Sequence, residues 1–117
     1  MTSRDRRDEL RAAYEQRPTQ AAIYAMRNTV SGRILIASTS DLASVRNKLE
    51  FGRATESTGV LDRRLVADAK EHGVASFTLE VLDALEPDPQ RDDAQTASDL
   101  AALEALWREK LAGEPQY

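Results

Sequence analysis

The chain has 117 residues, 41% hydrophobic and 31% charged, which is enough for one small domain with a modest core and too little for a second. No apolar run approaches the roughly 18 residues that span a bilayer, and MTSRDRRDEL carries no apolar stretch resembling a signal peptide, so a membrane is not expected as a partner and the cytoplasm is the expected location. Zero cysteines exclude disulfide frameworks, thiolate zinc sites and cysteine nucleophiles, and the net charge of −4 makes weak DNA affinity the expectation.

Charge is unevenly spread, at +1 over residues 1–26, +3 over residues 27–64 and −8 over residues 65–117. A basic middle is compatible with a binding face, and equally with a solvated surface kept for solubility.

In chain order, Thr2-Ser3-Arg4-Asp5 reads as a capping box for a helix with the thin apolar stripe Leu10, Ala13 and Tyr14, ending near Pro18. Residues 1–20 are therefore expected to be a helical extension and residues 21–117 the domain proper. AAIYAM (21–26) and RILIAS (33–38) are short strand-forming runs, joined by the turn-forming RNTVSG, and predict a β-hairpin. Ser40 or Asp41 then caps a helix with Leu42, Val45 and Leu49 inward, ending around Phe51-Gly52. The next helix is expected to start near Ser57 or Thr58, to bury Leu61, Leu65, Val66 and Ala69, and to stop at His72-Gly73. SFTLEVLDAL (76–85) alternates Phe77, Leu79 and Val81 with polar residues and predicts a third strand. EPDPQRDDAQ (86–95) reads as a flexible acidic loop, and Thr96-Ala97-Ser98-Asp99 as a capping box for the last helix. These elements amount to an α+β fold, with a small three-stranded antiparallel sheet flanked by helices.

On the last helix Leu100, Leu103, Trp107 and Leu111 form one stripe, and Glu104 lies roughly 55° from its centre. An unpaired carboxylate at the border of a core is costly, so Glu104 is expected to reach solvent, Arg108 at i+4, or a metal ion. His72, the single histidine, suits a helix C-terminus, and Trp107 suits the core.

The order of elements, together with Ile23-Tyr24, the Arg27-Asn28-Thr29 turn and Gly32, Ile36 with Ser38, Asp41-Leu42, His72-Gly73, Phe77, Glu80-Val81-Leu82 and Leu103-Glu104-x-x-Trp107-x-x-Lys110-Leu111, resembles the GIY-YIG nuclease family from about Ala21 to Leu111. The resemblance implies divalent-metal-dependent phosphodiester hydrolysis. A first-motif Tyr helps to activate water, an Arg on the first helix of the domain contacts the phosphate, and a Glu on the last helix holds one Mg²⁺ or Mn²⁺. Tyr24 and Glu104 fill two of these roles.

Elsewhere the chain departs from that pattern. The second motif reads Leu35-Ile36-Ala37, without its Tyr and Gly, and the family Arg falls on Val45. Arg46 lies about 40° around the helix from Leu42, within reach of a small rotation, and is the stand-in if the site still works. Arg27, Arg33, Lys48 and Arg53, with Arg63 and Arg64 beside them, are candidate phosphate contacts, a solvated charged face being the plainer reading. Three functions follow as expectations. They are a catalytically impaired domain with a residual nucleic-acid- or partner-binding role, a slow divalent-dependent endonuclease, and a protein-interaction module.

Overall fold

A computed structural model of the chain describes residues 19–117, so the expected N-terminal helix and Tyr14 lie outside the described residues. Three strands, β1 (Ala22–Asn28), β2 (Ile34–Thr39) and β3 (Phe77–Ala84), form one antiparallel sheet in the order β2-β1-β3. Helices α1 (Leu42–Thr55), α2 (Arg63–His72) and α3 (Asp93–Lys110) complete the fold, with a short 3₁₀ turn at Val74–Ser76 before β3. The α+β architecture read from the sequence is the one observed.

Because β1 is the central strand, both of its faces are covered, and five of its seven residues are buried. One face carries Met26, Leu35 and Phe77 and packs against Leu49 of α1 and Leu65 and Ala69 of α2. The opposite face carries Ile23, Ile34 and Ile36 and packs against Leu100, Leu103, Trp107 and Leu111. The stripe expected on the last helix is thus its packing face. Full burial of side chains such as Phe77 and Ile23 contributes about 1.5–3 kcal/mol each.

Several boundaries differ from the sequence reading, each for a local reason. β1 runs two residues past Met26, because Arg27 and Asn28 keep pairing with β3, and the turn over residues 29–31 closes at Gly32, which takes φ +78°. Helix α1 does not stop at Phe51-Gly52. It continues to Thr55 and is closed by Glu56 in the left-handed region, with Gly52 buried inside it. A Cβ on Gly52 would stand 2.9 Å from the Ser57 carbonyl oxygen, so glycine here serves close approach of the following loop rather than termination.

Neither Ser57 nor Thr58 caps α2. Asp62 does so, accepting from the Arg64 amide at 2.9 Å, and Leu61 packs on the core from the loop instead of from the helix. Likewise α3 starts at Asp93, three residues before the expected box. The Asp92 side chain accepts from the Gln95 amide at 2.7 Å while Gln95 reaches back to the Asp92 amide at 3.0 Å, a reciprocal cap that shortens the acidic loop.

Two features bear on the site. Between Ile23↔Asp83 and Tyr24↔Val81 the register shifts, leaving Leu82 as a bulge directly beside Tyr24 and packed with the α3 cluster. On the outer edge of β2, the Ile34 amide donates to the Pro115 carbonyl and the Tyr117 amide donates to the Ile34 carbonyl, both at 2.9 Å, so residues 115–117 shield the start of that edge. Among the described residues no helix is long and apolar enough to cross a membrane.

Candidate functional site

Tyr24 stands on the face of β1 that looks toward α1 and α2, opposite Ala37 of β2. A pocket of about 230 Å³ opens there, walled by Val45, Leu49, Leu61 and Leu65 and bearing three polar groups, Tyr24, Lys48 and Asp62. The wall is aliphatic because α1 presents Val45 and Leu49 at i and i+4, while the loop from Gly52 folds Val60 and Leu61 against them. Lys48, one turn on from Val45, has no salt bridge among the described residues.

Around the phenol lies a charged group that only the fold assembles. Asp62, besides capping α2, takes the Arg64 guanidinium as a fork, with Nε to Oδ1 and Nη2 to Oδ2 both 3.0 Å. That pairing holds the Asp62 carboxyl below its usual range and raises the guanidinium. Glu104 approaches from α3. Its carboxylate lies 3.6 Å from Arg108 Nε, and Arg108 also donates through Nη2 to the Ile36 carbonyl at 2.9 Å. Arg108 thereby ties the Glu104 segment of α3 to the outer edge of β2.

Tyr24 registers all of this. Burial pushes its phenol up first, the charge on Asp62 next and that on Glu104 last, with only Arg64 pulling it down. Among the described residues Tyr24 and Glu104 share no hydrogen bond and no pocket wall, and only this longer-range influence of charge relates them. Asp62 shares the pocket wall with Tyr24 and holds Arg64, which the sequence offered among the candidate phosphate contacts and, more plainly, as part of a solvated charged face. The signal for this pair was the Asp62-x-Arg64 spacing at a helix start, legible only once Asp62 is known to be the cap.

Other candidates fall elsewhere. Arg46 is exposed and does not line the pocket; Val45 does. Arg27 bonds Glu80 through Nε at 2.8 Å and Glu114 through Nη2 at 3.4 Å. Arg33 lies 4.2 Å from the Tyr117 ring centroid and 3.8 Å from Asp68. Arg53 is spent on the Phe77 carbonyl and on Glu50. Of the six candidate phosphate contacts, Lys48 alone lines the Tyr24 pocket. His72 offers its carbonyl to Ser76 Oγ at 2.6 Å at the end of α2, far in role from the pocket, and Trp107 donates to Asp83 at 3.4 Å while packing under α3.

Among the described residues no group of three or more metal-ligating side chains exists. One half-exposed carboxylate, Glu104, fits a hard divalent cation that keeps most of its waters, and it would have to give up part of its contact with Arg108. Compared with known proteins, the chain matches no family model, no curated protein and no solved structure.

Proposed function

We propose that the chain is a degenerate GIY-YIG-like domain whose nuclease chemistry is impaired and which keeps a weak nucleic-acid-binding role. The observation that carries this reading is Val45. An aliphatic side chain lines the pocket beside Tyr24 where the resemblance calls for an arginine, and the neighbouring Arg46 lies outside it. A cation that meets the transferring phosphoryl group is worth on the order of 10³–10⁵ in rate in other phosphoryl-transfer enzymes.

The state of Tyr24 points the same way. A phenol meant to help take a proton from water works best when its pKa approaches the working pH. Here burial and two carboxylates push it upward, so at neutral pH it keeps its proton. Glu104 is the residue that would hold Mg²⁺ or Mn²⁺, and the bound cation would supply Lewis-acid stabilisation of phosphate charge. Tyr24, Lys48 and Arg64 would orient the phosphodiester beside it.

A nicking assay on supercoiled plasmid with Mg²⁺ or Mn²⁺ tests the reading, comparing the protein with Tyr24→Phe and Glu104→Ala. No variant should exceed background. Cleavage by the parent chain that both substitutions abolish would overturn impairment in favour of a slow divalent-dependent nuclease, a reading that the pairing of Arg64 with Asp62 on the Tyr24 pocket wall favours. Nicking that emerges only in Val45→Arg would identify the lost cation as the missing part.

A further inference from the structure

We infer that Arg64, held by Asp62 at the rim of the Tyr24 pocket, is the side chain that contacts a phosphate of the bound nucleic acid, in place of any residue of α1. This rests on the nucleic-acid-binding reading given above. It assigns the contact to a different element from the one that the resemblance implies.

Position comes first. Asp62 lines the pocket, and both of its carboxylate oxygens bind Arg64 at 3.0 Å, so the guanidinium is held next to a polar wall residue at the start of α2. The other arginines near the sheet are committed on more than one side. Arg27 lies between Glu80 and Glu114, Arg33 between Asp68 and the Tyr117 ring, Arg53 between the Phe77 carbonyl and Glu50, and Arg108 between the Ile36 carbonyl and Glu104.

Donor chemistry comes second. A guanidinium has five N–H groups in a rigid fork. Asp62 uses Nε–H and one Nη2–H, which leaves the other Nη2–H and one Nη1–H side by side along the end edge of the fork. That edge suits two non-bridging oxygens of one phosphodiester, which guanidinium recognises bidentately. Since Arg64 is already ordered by its carboxylate, little rotamer freedom remains to be lost on binding.

Charge comes third. Lys48 lines the pocket, Arg64 pairs with Asp62 and Arg108 pairs with Glu104, so these five side chains together carry one positive charge. Such a site favours an anion only at short range and with direction. Weak overall affinity and a defined phosphate contact are therefore compatible, with Lys48 as the second and less directional contact.

The test uses the full chain and a short fluorescein-labelled DNA duplex, with anisotropy followed across a salt series in EDTA. Arg64→Ala should weaken binding about tenfold and flatten the log–log salt slope by about 0.9, while Arg46→Ala leaves both unchanged. Arg64→Lys, which keeps the charge and loses the fork, should fall between them. Equal binding by the parent chain and Arg64→Ala, or an equal loss in Arg46→Ala, would overturn the assignment and leave the nucleic-acid reading standing. If the parent chain does not bind the duplex at low salt, that reading falls instead. The phosphate site is then decided by titrating inorganic phosphate against the arginine Nε–Hε resonances: a selective shift of Arg64 upholds it, and no selective shift overturns it.

Discussion

Two tyrosines pack against the same apolar cluster beneath α1 and α2, and their hydroxyls meet opposite fates. Tyr117 donates to Asp68 at 2.7 Å and accepts from Asn28 Nδ2 at 3.1 Å, while its ring lies beneath Arg33. Asn28, fully buried, spends its remaining oxygen on the amides of Val30 and Ser31 at 2.9 and 3.3 Å. Every polar side chain there has a partner inside the protein. Tyr24 has no protein hydrogen-bond partner for its hydroxyl among the described residues, and it faces a pocket lined by Lys48 and by Asp62, which holds Arg64. A saturated network fixes structure, whereas an unsaturated one has capacity left for a ligand.

That contrast can be broken most decisively at Asn28. Replacing it with Ala empties four hydrogen bonds in a buried place and leaves Asp68 and Tyr117 without a shared donor, which should cost about 2–3 kcal/mol in urea unfolding. A loss below about 0.5 kcal/mol, the size of an ordinary surface change, would mean that the network decorates the turn instead of holding it.

Tyr117→Phe removes one hydroxyl from the same network and should cost about 1–1.5 kcal/mol. Its effect should be non-additive with Asp68→Ala by about 0.5 kcal/mol or more, since the two groups share one bond. Strict additivity in a double-mutant cycle would dissolve the network into independent contacts. Tyr24→Phe, by contrast, should lie within about 0.5 kcal/mol of the parent chain, because no protein partner is orphaned. A loss as large as that of Tyr117→Phe would show that the pocket phenol carries stability after all, and the contrast would fail.

The fold is largely legible in the sequence, because period and composition agree in most elements. In β3 the alternation expected of Phe77, Leu79 and Val81 fails at Val81, which is exposed beside the bulge. The stripe of Leu100, Leu103, Trp107 and Leu111 buries as its spacing requires. What was not legible came from competition between equally good local signals. Ser57, Thr58 and Asp62 can all cap a helix, and only tertiary packing of Leu61 and Val60 against Leu49 selects Asp62. Asp92 and Thr96 compete in the same way, and Gln95 decides the matter by completing the reciprocal cap. The site inherits this ambiguity. Tyr24 and Glu104 were legible as isolated residues, but Arg64 matters only if Asp62 is the cap, and the periodicity of α1 does not separate Val45 from Arg46 without knowing which of them faces the pocket.

The smallest expected effect also probes the contrast most finely. Burial raises both phenols above the ordinary tyrosine value of 10.0, in Tyr24 with help from Asp62 and in Tyr117 with help from the Asp68 hydrogen bond. In each case the unfolded chain loses the phenolic proton before the folded one does. Stability from either group is therefore complete below about pH 10 and is lost as pH rises through the raised value. Denaturant midpoints measured from neutral pH upward should fall in that window, less steeply in Tyr24→Phe and in Tyr117→Phe than in the parent chain. The two tyrosines part in how they answer a change of charge nearby. Arg64→Ala removes the one cation that pulls Tyr24 down, so ultraviolet titration should show that phenol moving further up, whereas Glu104→Gln should let it move back. Neither substitution should move Tyr117, whose raised value comes from burial and Asp68. If Tyr24 ignored both changes, the three side chains would not share one site, and the phosphate contact assigned to Arg64 would lose the neighbours that give it meaning.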